Sequence, residues 1–141
     1  MEPLNKTEIG ALLEALDDEY QAFATYSQVI SDFGPVRPFV NIREAEGRHI
    51  AALQRLFNRH GVPTPDNKWL GKAPRYRNIE EACRAGVEAE IANAALYERL
   101  LASTERPHIL RVYRALQAAS QQRHLPAFRR CVERPRGRGK A

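Results

Sequence analysis

No run of apolar residues in this 141-residue chain approaches the roughly 20 that a membrane-spanning helix needs, so a membrane is not an expected partner. The N-terminus, MEPLNKTEIGALLEALDDEY, has neither the basic start nor the continuous apolar stretch of a secretory signal. A cytoplasmic location is therefore expected, and a form exported by a signal absent from this chain stays open. Alternating apolar and polar runs rich in β-branched residues are missing, which argues against a sheet. Cysteine is scarce, with two residues and no Cys-x-x-Cys, which excludes an electron-transfer module built on that motif.

Positive charge is present, at +5 net, but it is badly distributed for a nucleic-acid surface. Arg134, Arg136, Arg138 and Lys140 crowd into ERPRGRGKA, a Gly- and Pro-containing tail expected to stay disordered. No aromatic stacking platform accompanies them, so nucleic acid is not an expected partner beyond weak contact through this tail. The remaining length is that of one ordinary domain, and 43% hydrophobic with 28% charged residues suits a globular fold. The expected organisation is one domain over residues 1–133 and a basic tail over residues 134–141.

What is there is helical periodicity, nearly throughout, and the expected fold class is all-α. The spacing predicts a first helix from near Thr7, as N-cap, to Gly34 and Pro35, and a second from about Pro38 to Arg59, stopped by Gly61 and Pro63. GVPTPDNKWLGKAPRYRN follows, a segment long enough to require a reason in a compact domain. A crossover running the length of a neighbouring helix is one, with Trp69 and Tyr76 packing it onto the bundle. A third helix is expected from about Asn78 to Ser103 and a fourth from about Pro107 to Cys131. Two tight connections around one long crossover describe a four-helix bundle made of two helical hairpins.

The first helix carries Leu12, Leu16, Glu19, Phe23, Tyr26, Ile30 and Phe33 on one stripe, and the third carries Cys83, Val87, Glu90, Ala94, Tyr97 and Leu101. Each is a bundle seam holding a single acid, with Tyr seven residues on: EYQAFATY and EIANAALY. On the second helix, Glu46 and His49 share a stripe with Leu53 and Leu56. Aligning RHIAALQRL on RHLPAFRRC puts His49 on His124, Leu53 on Phe128, Leu56 on Cys131 and Glu46 on Gln121. A lone Glu-x-x-His is a weak signal, but two half-chains with acids and histidines at matching seam positions argue for a pseudo-two-fold bundle whose polar residues meet at its centre.

DDEYQAFATY, GVEAEIANAALYERLL and LQAASQQRHLPAF resemble the ferritin-like superfamily, in particular rubrerythrin-type proteins and a small ferritin-like family of unknown function in bacteria and archaea. The resemblance covers about residues 7 to 131. It implies a ferritin-like bundle in which a Glu from each of two helices and a Glu-x-x-His from each of the other two hold two iron or manganese ions. Carried over by position, Glu19 and Glu90 are the lone acids, Glu46 and His49 one pair, and Gln121 and His124 the other. The neutral Gln121 leaves Glu19, Glu46 and Glu90 to balance two divalent ions, so one firm and one weaker metal position are expected. Glu44 and Glu88 point away round their helices and are poor substitutes.

The ligand types suit iron or manganese and are compatible with zinc. Redox work on dioxygen or peroxide, as a ferroxidase or peroxidase of diiron type, is the activity the resemblance implies. The alternative is a non-catalytic metal-binding or assembly bundle with a degenerate site, and a buried polar network without metal also stays open. Tyr26 and Tyr97 are core aromatics by default; the resemblance implies that their hydroxyls also bond to liganding carboxylates. Cys83 and Cys131 lie at one level if the third and fourth helices are antiparallel, which allows either a disulfide or two reduced core thiols. His60 and His108 fall at helix ends and are read as surface residues. A homodimer is expected by resemblance only.

Overall fold

The computed structural model describes residues 2–134, so the tail expected over 134–141 lies, apart from Arg134, outside the described residues. Helix α1 spans Lys6–Phe33. Its N-cap is Asn5 rather than the expected Thr7. Asn5 Oδ1 accepts from the Glu8 N–H at 2.8 Å and Glu8 Oε1 accepts from the Asn5 N–H at 3.0 Å, a reciprocal capping box that Thr7 could not form. Gly34, at φ +94°, ends the helix in a conformation other residues avoid. Helix α2 spans Phe39–Arg59 and stops at His60 and Gly61. Helix α3, Ile79–Leu100, starts at Asn78, whose side chain accepts from the Glu81 N–H, and ends before the expected Ser103 because residues 101–103 form a turn.

The last helical stretch is not regular. Helix α4 spans Pro107–Ala119, a π-turn covers Ser120–His124, and helix α5 runs Leu125–Glu133. Leu125 N–H bonds to Ser120 O, five residues back. The π-turn ends two residues before Pro126, which has no N–H to give and whose ring would crowd the carbonyl of Gln122 in an α-helix. The described residues thus form an all-helical bundle of four helices, with no strand and no helix long and apolar enough to cross a membrane.

Residues 60–78 between α2 and α3 lie along α1. Tyr20 Oη donates to Pro65 O at 2.7 Å, Trp69 Nε1 to Asp17 at 2.9 Å, and Arg75 grips Asp32 at 2.7 and 3.1 Å. Those anchors on α1 span roughly 22 Å of helix. Trp69 and Tyr76 pack against the two apolar clusters of the core.

The core is divided along its length. At one end Leu12, Leu16, Leu53, Phe57, Leu100 and Ile109 are buried together. At the other, Tyr26, Val29, Phe39, Cys83, Phe128 and Cys131 are. On every helix the residues between these clusters are polar and buried: Glu19 on α1, Glu46 on α2, Glu90 and Asn93 on α3, Ser120 and His124 in the π-turn. At the second end α3 and α5 approach closely. A Cβ on Gly86 would stand 2.7 Å from the Phe128 ring, and a disulfide joins Cys83 to Cys131 with Cα atoms 6.1 Å apart.

Candidate metal centre

Five of the six side chains expected at the centre meet there. His49 Nδ1 lies 3.1 Å from Glu46 Oε1 and 3.4 Å from Glu19 Oε1. His124 Nδ1 lies 3.6 Å from Glu46 Oε2 and 3.5 Å from Glu90 Oε1. The result is two triads, Glu19–Glu46–His49 and Glu46–Glu90–His124, with one ligand atom per residue within 4.8 Å of the others in its triad. Glu46 belongs to both, one oxygen facing each. The two imidazoles stack, centroids 5.6 Å apart.

Gln121 does not join them. It is exposed, on the outer surface with Gln117 and Gln122. A turn closed by i→i+5 bonds holds more residues than an α-turn, so the residue three before His124 no longer shares its face. Ser120, four before it, takes the inner place. Its hydroxyl donates to Glu90 Oε1 at 2.7 Å. Glu44 and Glu88 are exposed, as their spacing requires.

Hydrogen bonds fix the outer oxygens, and they cross between the halves. Tyr26 Oη on α1 donates to Glu90 Oε2 on α3 at 2.8 Å, and Tyr97 Oη on α3 donates to Glu19 Oε2 on α1 at 2.7 Å. Asn93 Nδ2 adds a bond to Glu19 at 3.2 Å and one to Asp18 at 2.6 Å. Burial, together with the charges of Glu19 and Glu90, raises both tyrosines well above the ordinary phenol range, so they remain donors. Asn93, Asp18 and Ser120 were not anticipated. Asn93 follows Glu90 by one turn and was open to detection, whereas Ser120 required foreknowledge of the π-turn.

Crowding of carboxylates shapes the electrostatics. Burial and the charges of Glu19, Glu90 and Asp18 push Glu46 well above the ordinary carboxylate range, while hydrogen bonds to Glu46, His49 and Tyr97 hold Glu19 low against its own burial. Burial and Glu19 likewise raise Asp18 to about 7. Without a cation, such a group relieves repulsion by holding protons. Three buried polar atoms are nevertheless stranded among the described residues, Ser27 Oγ, Asn93 Oδ1 and His124 Nδ1, and the last faces a triad. His124 Nδ1 is buried with no hydrogen-bond partner, because its nearest carboxylate oxygens are too distant. Donors bound to one ion at about 2.1 Å and at right angles stand about 3.0 Å apart, close to the spacings of both triads.

A cavity of about 230 Å³ between α1 and α3, lined by Ala22, Thr25, Ala89 and Asn93 among others, reaches Glu90 and Tyr26. A second, of about 380 Å³, lies on the α2–α5 side and reaches His124. His60 and His108 depart from the surface reading. The end of α2 and the start of α4 bring them together, half-buried, with Nε2 atoms 2.8 Å apart.

No family model matches the chain, and no curated protein matches it. Its fold is similar to the crystal structure of a hypothetical protein from Methanococcus jannaschii DSM 2661, with a TM-score of 0.83 at 23% identity over 94% of this chain and 83% of the other. At that identity the likeness establishes the fold alone.

Proposed function

We propose that this chain is a ferritin-like bundle, two helical hairpins joined by a crossover, that holds two iron or manganese ions and works on dioxygen or peroxide. Glu19, Glu46 and His49 would hold one ion, and Glu46, Glu90 and His124 the other. The observation that carries this reading is the sharing of Glu46 by two triads, each offering two carboxylates and one imidazole. The stranded Nδ1 of His124 supports it, since a metal bond satisfies a buried nitrogen that the protein leaves without a partner. The two positions have like donor sets. Gln121 itself is on the outer surface, and Glu19, Glu46 and Glu90 are still the carboxylates of the two triads that would balance two divalent ions.

Carboxylates and imidazoles suit iron or manganese and are compatible with zinc. Bound iron or manganese would supply one-electron chemistry that the side chains lack. The chain's own part is positioning and exclusion. Tyr26, Tyr97 and Asn93 anchor the outer oxygens of Glu90 and Glu19, which turns the other oxygens inward, and Ser120 holds Glu90 Oε1, the oxygen that faces His124. Apolar clusters close the polar layer at either end, and the two cavities reach it at Glu90 and at His124.

The test is metal analysis of protein purified without chelators, followed by anaerobic Fe(II) addition and exposure to air. Two ions per chain with oxidation faster than in buffer is the expected result. Bound metal without turnover would support a metal-holding bundle instead. Metal no higher than in Glu46→Ala protein would overturn both.

A further inference from the structure

The cavity on the α2–α5 side has a lining of one sign. Arg37, Arg48, Arg123, Arg130 and Arg134 surround it, and no Asp or Glu does. They come from the approach to α2, from α2 itself, from the π-turn, from α5 and from the residue that follows it. None of the five forms an ion pair among the described residues. Arg75, Arg84, Arg99 and Arg106 are each held by a carboxylate at 2.7 to 3.0 Å. Arg43, Arg55, Arg59, Arg111, Arg114 and Arg129 also form no ion pair among the described residues, but here five such arginines line one cavity.

Such a grouping is self-repelling and raises the local positive potential. A bound anion offsets that cost. Guanidinium presents paired N–H donors that match two oxygens of one oxyanion, a geometry ammonium lacks. The floor is apolar and firm, with Pro38 and Ile42 buried beside His124. At about 380 Å³ the space is within the range of small-ligand pockets.

We propose that this cavity binds a small oxyanion of the phosphate type, free or carried on a compact organic molecule. The His124 ring is shared: it lines the cavity, and its Nδ1 faces Glu46 and Glu90. An anion held there stands against the wall of the second triad. That adjacency rests on the dinuclear reading, but the anion site itself does not.

Calorimetric titration of chelator-treated, metal-free protein at fixed ionic strength tests it, with inorganic phosphate and glycerol 3-phosphate as probes. Saturable binding at one site per chain is expected, weakened at least tenfold in Arg123→Gln/Arg130→Gln. The control pair Arg84→Gln/Arg99→Gln removes the same charge from other surfaces and is expected to bind as wild type does. All four side chains are exposed, and thermal melts verify that both variants fold. Tighter binding of glycerol 3-phosphate assigns the site to an organic phosphate, and tighter binding of inorganic phosphate assigns it to the free ion. No saturable binding, or equal loss in both double variants, overturns the proposal. Phosphate binding in protein that takes up no metal would sink the dinuclear reading alone, and metal uptake without phosphate binding would sink this one alone.

Discussion

The α1–α2 half and the α3–α5 half descend from the same pattern yet solve one problem differently. In the first, a regular helix presents Glu46 and His49 together to the centre. In the second, the π-turn withdraws Gln121 and presents Ser120 with His124. The polar layer survives because the halves support each other reciprocally, Tyr26 bonding to Glu90 and Tyr97 to Glu19. Away from the centre they diverge again. Leu12 and Leu56, buried in the first-half cluster, correspond in the repeat to Cys83 and Cys131, which are covalently joined. Ala15 corresponds to Gly86, where Phe128 leaves no room for a side chain. A repeat conserves the positions at which two halves meet, while the chemistry at each is free to change.

The sharpest break of this comparison is at Glu46, the one side chain serving both triads. Glu46→Ala is expected to remove both bound ions, whereas Glu19→Ala or Glu90→Ala removes one, as read by metal content per chain. The covalent link comes next. Closing a 48-residue separation contributes about 4 kcal/mol in the chain-entropy model, and denaturant melts of Cys83→Ala/Cys131→Ala are expected to show a loss of that order. An undiminished midpoint would mean that packing alone ties α3 to α5. Gly86→Ala should cost about 2 kcal/mol by crowding Phe128, while Ala15→Gly in the other half should cost about 1 kcal/mol, through backbone entropy.

A smaller effect concerns how the two halves are tied at their ends. Burial alone would raise the pKa of Glu8, but hydrogen bonds from Thr104, the Asn5 N–H and Arg106 outweigh it and bring the pKa from 4.5 down to about 2. A depressed carboxylate pKa stabilises the fold above its ordinary value and ceases to do so as pH falls through the lowered one. The stability gap between wild type and Glu8→Gln should therefore be widest above about pH 4.5 and close as pH falls toward 2, measured by thermal melts across that range. The smallest expected effect is Gln121→Glu. It restores the acid that the repeat leads one to expect, yet it should leave metal content unchanged and shift stability by no more than about 0.5 kcal/mol, because the side chain is exposed. A gain in metal affinity would show that the π-turn can revert to a regular helix.

Helix spans were legible because the seam repeats every three or four residues over long stretches, and Gly34, Gly61, Pro35 and Pro63 punctuate it. Glu19, Glu46, His49, Glu90 and His124 were legible because a charge on an otherwise apolar stripe must find a partner. The errors are local departures from regular geometry. The N-cap falls at Asn5 and not at Thr7 because Asn5 has Glu8 three residues on for the reciprocal bond. A period of 3.6 residues carried through to Pro126 would turn Gln121 inward, whereas the π-turn turns it out. His60 and His108 meet only through the packing of α2 against α4, which leaves both half-buried.

The order of residues along the chain sufficed to specify four amphipathic helices and a level at which their polar residues recur, since side-chain direction follows from helical period wherever the helix is regular. Packing decided the remainder: which member of each polar pair turns inward, that both oxygens of Glu46 are engaged, and that five arginines from separate segments face one cavity. Those outcomes depend on distances between residues remote in sequence, and on a π-turn that interrupts the regular helical period. No local period encodes either.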